Sequence, residues 1–184
     1  MELKPCLITF LFLSGMRLPG FAQDTRPTTP VLPFIDSFVK KATANPFPSI
    51  GKWKDVKGEE FNFNEFRQPA IIRLGFRGCA PCKALMKSFI KMSELYTDVS
   101  FFYFTYDTNE EILEDISKLY PATGRVHFVS IPQSIIKDFR LAIGYPVTYF
   151  ITPGNDVKAI DMLWMNRDQE IQYDKRIIDS LLRN

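Results

Sequence analysis

Between residues 70 and 151, four short apolar runs alternate with three segments whose apolar residues recur at helical spacing. Few folds accept that order: it calls for parallel strands joined by right-handed helical crossovers. Residues 70–76 (AIIRLGF) read as a buried strand. From Cys82, residues Leu85, Met86, Phe89, Met92 and Tyr96 share one helical face, while Lys83, Lys87 and Lys91 line another. This spacing predicts a helix that begins near Cys79. Residues 100–106 (SFFYFTY) are too short a run for a typical helix and fit a central strand covered on both sides. Thr108 with Glu111 forms a capping box. It opens a helix expected to bury Ile112, Leu113, Ile116 and Leu119 and to stop at Pro121.

The pattern continues with a strand at 126–131. Ser130 and Gln133 are candidate caps for a third helix, with Ile135, Ile136 and Phe139 inward and Gly144 closing it. A strand at 147–151, a turn at Pro153-Gly154-Asn155-Asp156 and a returning strand at 157–164 make a hairpin. Residues 174–182 close the chain as a helix burying Ile177, Ile178, Leu181 and Leu182. Upstream, Lys57-Gly58 reads as a turn between two short strands, the second at 60–63. The whole describes one α/β domain with a mixed sheet flanked by helices.

The first residues have a different character. Lys4 and the α-amino group precede an apolar run at 6–16, broken only by Thr9, Ser14 and Gly15. Gly20-Phe21-Ala22 follows, with small residues at the two positions a signal peptidase reads. The run is about half the ~20 residues that a spanning helix needs, so residues 1–22 read as a cleaved signal peptide. An uncleaved N-terminal membrane anchor is the alternative. Residues 23–45 form a proline-rich lead-in ending in a short helix at 34–44, with Phe34, Phe38 and Ala42 on one side. Residues 46–184 are the compact domain. Cleavage removes Cys6 and leaves Cys79 and Cys82 as the mature chain's cysteines. An exported dithiol meets an oxidising compartment. The net charge of +2, with acids and bases interspersed, gives no basic stripe for nucleic acid.

Cys79-Ala80-Pro81-Cys82 falls at the junction of a strand and a helix. The first helical turn offers unpaired N–H groups and the positive end of the macrodipole, and both stabilise a thiolate. Cys82 lies one turn on and on the same face, so a disulfide is reachable. Pro81 suits a first turn, where its missing N–H is not needed. Cys79, at the helix tip, is the candidate attacking thiolate; Cys82, more buried, is the candidate resolving thiol. Structural zinc needs four ligands, and the mature chain offers two thiols and the distant imidazole of His127. Copper(I) accepts two soft ligands and a histidine, which keeps copper carriage as an alternative. A binding or assembly module with a purely structural Cys79–Cys82 bridge is another. Downstream, Pro146 opens an apolar strand, where it cannot donate to the ladder. Alone it fits an edge strand. Beside a dithiol it reads as a cis Tyr145-Pro146 bond that presents the Tyr145 backbone to an extended partner.

Taken together, the CAPC motif followed by Lys83, the additional strand–helix unit and Tyr145-Pro146 before the hairpin resemble the thioredoxin fold. The likeness is to its TlpA/ResA-like branch of exported thiol-disulfide oxidoreductases, and it covers residues 47 to the end. The resemblance implies a thioredoxin-like fold with an extra strand–helix insertion. It implies Cys79 as nucleophile, Cys82 as resolving thiol and Pro146 as the flanking cis-proline. It also implies protein disulfide substrates, a membrane dithiol donor, a reducing role in a bacterial periplasm and no bound cofactor or metal; a monomer is expected. Several positions depart from the branch. Gly78 replaces the aromatic residue before the first cysteine. Leu85 replaces the glutamate after the second. Arg73 stands where thioredoxins keep a buried aspartate, and Val147 stands where threonine is usual after the proline. Arg73, Gly78 and Lys83 are therefore candidate tuning residues. A charge within an apolar strand must be paired or reach solvent. Arg73 is expected to snorkel outward or to pair with an acid such as Asp107. If it approaches Cys82 instead, it favours that thiolate directly. The Lys83, Lys87, Lys91 stripe reads as a solvated face, and His127, Trp53 and Trp164 as packing or edge residues.

Overall fold

In the computed structural model, described over residues 33–120, 122–162 and 167–183, the expected alternation is present. Residues 1–32, Pro121 and Trp164 lie outside the described residues, and with them the signal peptide and the first ten residues of the lead-in. The elements are α1 (Pro33–Thr43), β1 (Lys52–Lys54), β2 (Glu60–Asn62), β3 (Ala70–Leu74), α2 (Ala80–Leu95), β4 (Ser100–Thr105), α3 (Asn109–Leu119), β5 (Val126–Ser130), α4 (Gln133–Asp138), β6 (Val147–Ile151), β7 (Val157–Met162) and α5 (Arg167–Leu181).

The main sheet has the order β5-β4-β3-β6-β7. The β3–β4 and β4–β5 pairs are parallel, while β6 and β7 add antiparallel partners. β5 with α4 is the additional strand–helix unit. Strand alternation divides the core by face. Ala70, Ile72, Leu74, Phe102 and Phe104 pack with residues of α1, α4 and the β1–β2 hairpin. Ile71, Phe101, Tyr103 and Phe150 pack with α2, α3 and α5. The phenylalanines interlock edge to face: the Phe63 ring meets Phe102 at 5.0 Å and Phe104 at 4.9 Å.

Local signals explain where the helices begin and end. Thr108 Oγ1 accepts from Glu111 N while the Glu111 carboxylate accepts from Thr108 N, the expected capping box. α4 lacks the side-chain cap expected from Ser130 or Gln133; Ser130 Oγ donates instead to the Asp107 carbonyl. It also ends well before Gly144. Arg140 adopts φ 51°, and the N–H groups of Arg140 and Leu141 return to the carbonyls of Lys137 and Ile136. That is a Schellman stop made without glycine, which sequence could not flag. α5 begins earlier than expected and places Asp174 mid-helix. The buried faces are narrower than the periodicity implied. Phe34, Leu113, Leu119, Phe139 and Leu182 are exposed, and Ile35 takes the inward position of α1.

The β1–β2 turn is pinned to β5. Asp55, buried, accepts from the backbone N–H of Lys57 and Glu59 at 2.9 and 3.0 Å. Its other oxygen lies 3.0 Å from His127 Nδ1. The His127 ring also packs on Phe61 at 4.4 Å, so the histidine is the packed edge residue that was expected. Asp55→Ala strands two amide donors and the imidazole. It is expected to destabilise the domain by about 2–3 kcal/mol and to lower the melting temperature by roughly 5–10 °C in calorimetry.

Candidate functional site

The segment joining β3 to α2 is shaped by two glycines with close neighbours. Gly75 leaves β3 with its N–H donating to the Phe104 carbonyl. A side-chain carbon there would overlap the Tyr103 hydroxyl and stand 3.0 Å from Cys82 Sγ. Gly78 is bare because the Phe76 ring lies over it; a Cβ would come within 2.9 Å of that ring. An aromatic group therefore does lie against Gly78, supplied from two residues before it. Phe76 stacks on Tyr106 at 5.5 Å and meets Tyr145 edge-on at 5.3 Å. Arg77 ties the loop to α3: its N–H donates to Asp107 Oδ2 at 2.7 Å, and its guanidinium pairs with Glu114 at 2.6 Å and Asp115 at 3.1 Å.

Cys79 is the N-cap of α2, and its Sγ accepts the Cys82 N–H at 3.1 Å. Pro81 lies in the first turn, as its missing donor allows. Cys79 and Cys82 form a disulfide with their Cα atoms 5.2 Å apart. Cys79 is 5% and Cys82 1% exposed, so the outer position belongs to Cys79 by a small margin. The Tyr145-Pro146 bond is cis. Val147 pairs with Leu74, and the Tyr145 ring rests on Phe76, so this segment adjoins the dithiol loop. Lys83, Lys87 and Lys91 are exposed, a solvated face as expected.

Arg73 neither snorkels nor pairs with Asp107, whose carboxylate is taken by the Arg77 amide and Thr105. It is 1% exposed. Its Nε donates to Thr148 Oγ1 and its Nη2 to Asp174 Oδ2, both at 2.9 Å, and its guanidinium lies 4.6 Å from the centre of the Phe89 ring. The register explains this: Asp161, Thr148, Arg73 and Tyr103 form one row across four strands, on the face that α2 and α5 cover. Mid-helix, Asp174 descends onto that row. Asp161 and Asp174 thus share one buried guanidinium, which can neutralise only one carboxylate. Burial accordingly pushes both up against the pull of Arg73, Asp174 to about 7. Burial also raises Tyr103.

The structure brings Cys79, Cys82, Gly78, Tyr145 and Pro146 together. Phe76, Tyr103, Tyr106, Asp161 and Asp174 were not singled out from sequence. Phe76 carried a usable signal, an aromatic two residues before a glycine. The two aspartates carried none, because their approach to Arg73 depends on strand register and on α5.

No family model and no curated protein matches the sequence. Solved structures do. A thiol:disulfide interchange protein of the thioredoxin family from Chlorobium tepidum aligns with TM-score 0.59 at 14% identity, covering 75% of this chain and 96% of that one. A thio-disulfide isomerase from Thermus thermophilus aligns at 0.57 and 21%, covering 72% and 94%. A secreted disulfide oxidoreductase from Mycobacterium tuberculosis aligns at 0.54 and 14%, covering 71% and 95%. What the chain shares with these proteins is the thioredoxin-like fold.

Proposed function

We propose that the protein is a thiol-disulfide oxidoreductase that acts on protein partners through Cys79 and Cys82. The observation that carries this reading is the dithiol at the α2 N-terminus, with a backbone N–H aimed at Cys79 Sγ and the cis Tyr145-Pro146 segment alongside. In the reduced protein that amide and the helix end are placed to stabilise a Cys79 thiolate. Cys79 attacks a client disulfide, Tyr145 and Pro146 border the docking strand, and Cys82 resolves the mixed disulfide. The chemistry needs no bound cofactor.

The finer reading is a monomeric reductant in a bacterial periplasm, recharged by a membrane dithiol donor. The apolar run and the Gly20-Phe21-Ala22 site support export, and the Mycobacterium tuberculosis neighbour is a secreted protein. Among the described residues no helix is long and apolar enough to cross a membrane. N-terminal sequencing of the exported protein is expected to begin at Gln23; a retained Met1 indicates an anchor.

The deciding experiment is the reduction potential of the Cys79–Cys82 pair, measured with and without Cu(I), alongside insulin reduction. A potential between about −270 and −120 mV with turnover supports the enzyme, whereas one well below about −300 mV indicates a structural bridge. Tight copper binding with poor exchange indicates carriage. The near-complete burial of both sulfurs is the feature that favours a structural bridge.

A further inference from the structure

Leu85, one turn on from Cys82, is apolar, and Arg73 is a cation held by Thr148 and Asp174, so neither can take a proton from Cys82. The resolving step still requires Cys82 to lose its proton before its sulfur can attack. Tyr103 stands where such a group is needed. It is 7% exposed. The overlap at Gly75 puts its hydroxyl and Cys82 Sγ beside one another, within about 5 Å. Among the described residues the hydroxyl has no hydrogen-bond partner while the disulfide is closed. Tyr103 also lines a cavity of about 30 Å³, enough for one water, together with Asp107 and Asp115. A buried hydroxyl between a sulfur and a carboxylate-lined cavity has the placement of a relay.

Building on the oxidoreductase reading, we propose that Tyr103 is a catalytic residue of the resolving step, passing the Cys82 proton to the cavity. As the Cys82 S–H bond breaks, its proton moves to Tyr103 Oη, and the hydroxyl's own proton leaves to a cavity water and on toward Asp107 or Asp115. The electron pair left on Cys82 Sγ forms the Cys79–Cys82 bond. The Cys79–client S–S bond breaks, and the client sulfur departs with its electron pair as a thiolate. The protein dithiol is oxidised by two electrons and the client disulfide is reduced by two. Tyr103 is neutral before and after. Burial, which keeps its hydroxyl protonated, suits that role.

The charged and titratable groups around this hydroxyl come from each neighbouring element. Arg73 lies beside it on β3; Asp107 follows β4; Asp115 belongs to α3, and Tyr120 caps that helix. Arg77 of the dithiol loop and Glu111 of α3 line the cavity as well. Lys83 of α2 borders the cavity. β5 contributes the apolar Phe128, 5.6 Å from the Tyr103 ring.

Ellman's reagent separates the two steps. The reduced protein releases one thionitrobenzoate when Cys79 forms the mixed disulfide and a second when Cys82 resolves it. In Tyr103→Phe, which keeps the ring, the second release is expected to slow tenfold or more at pH 7, with its pH dependence displaced upward. The first release is expected to stay within twofold. In the unmodified protein, the second release is expected to slow at least twofold in D2O, a readout that does not depend on how the variant folds. A second release with unchanged rate and pH profile in Tyr103→Phe overturns the assignment, as does the absence of a solvent isotope effect. If the unmodified protein releases no thionitrobenzoate, the oxidoreductase reading itself fails. If it releases both phases and the variant matches it, Tyr103 alone is excluded.

Discussion

At pH 7.5, Arg73→Met is expected to lose about 3–5 kcal/mol of stability, the loss typical of removing one partner from a buried ion pair. The size follows from what is left behind. Asp161 and Asp174 are both buried, and Arg73 is the cation that pulls on each of them. Without it, both carboxyls must take up protons to stay inside. The folded state then binds more protons than the unfolded chain, whose aspartates titrate near 3.9. Stability therefore falls as pH rises above that value, by about 1.4 kcal/mol per pH unit for each carboxyl still protonated in the fold. The variant should approach the parent near pH 4–5 and diverge from it toward neutrality. The parent shows a milder form of the same slope, because Asp174 sits at about 7 in the fold. Its contribution is complete below pH 4 and is lost as pH rises through 7. Urea midpoints at pH 5 and 7.5 check this. An equal loss at both pH values would assign the effect to lost packing against Phe89 instead. Replacing Arg73, Asp161 and Asp174 together by apolar residues should recover much of the stability. In the same variant, an unchanged Cys82 titration would remove Arg73 from the redox mechanism.

The second large effect separates the cysteines. Cys79→Ser is expected to abolish exchange, with a loss of at least about a thousandfold, because the hydroxyl replacing it is not ionised at neutral pH. Cys82→Ser is expected to keep the first attack and lose the second, so that a Cys79–client disulfide accumulates. Nonreducing electrophoresis and mass spectrometry of the trapped species read this directly and name the client. The asymmetry rests on position. Cys79 caps α2 and receives the amide hydrogen bond, while Cys82 lies inside the first turn and is nearly without exposure. Equal trapping by both single variants would contradict the assigned roles.

The strand–helix alternation, the capping box at Thr108 and the spacing of Cys79 and Cys82 were legible because each is a local rule. Period, cap and motif act within a few residues of chain, and short-range sterics and hydrogen bonding enforce them. Tyr145-Pro146 was legible only in combination: a proline opening an apolar strand fits an edge strand by itself, and the dithiol motif upstream turned the reading to the cis bond that is present. Where α4 stops was not legible, because Arg140 adopts a conformation that sequence assigns to glycine.

The surroundings of the dithiol belong to another category. Sequence marked Gly78, Leu85 and Arg73 as departures from a familiar arrangement but could not say what fills their places. Phe76 covers Gly78 because the loop folds back on itself. Arg73 is neutralised by Asp174, 101 residues away, because α5 crosses the strand row. Tyr103 and Cys82 both come to lie against Gly75 because β3 and β4 pair in parallel with Arg73 opposite Tyr103, which brings the Tyr103 hydroxyl up to the start of the dithiol loop. Buried charges and hydroxyls take their partners from whatever the sheet register brings within a few ångströms, and register is a property of the assembled core. By itself, then, the sequence determined that two thiols stand one turn apart at a helix tip; the tertiary structure decided which groups surround them, because those partners come from distant strands and from α5.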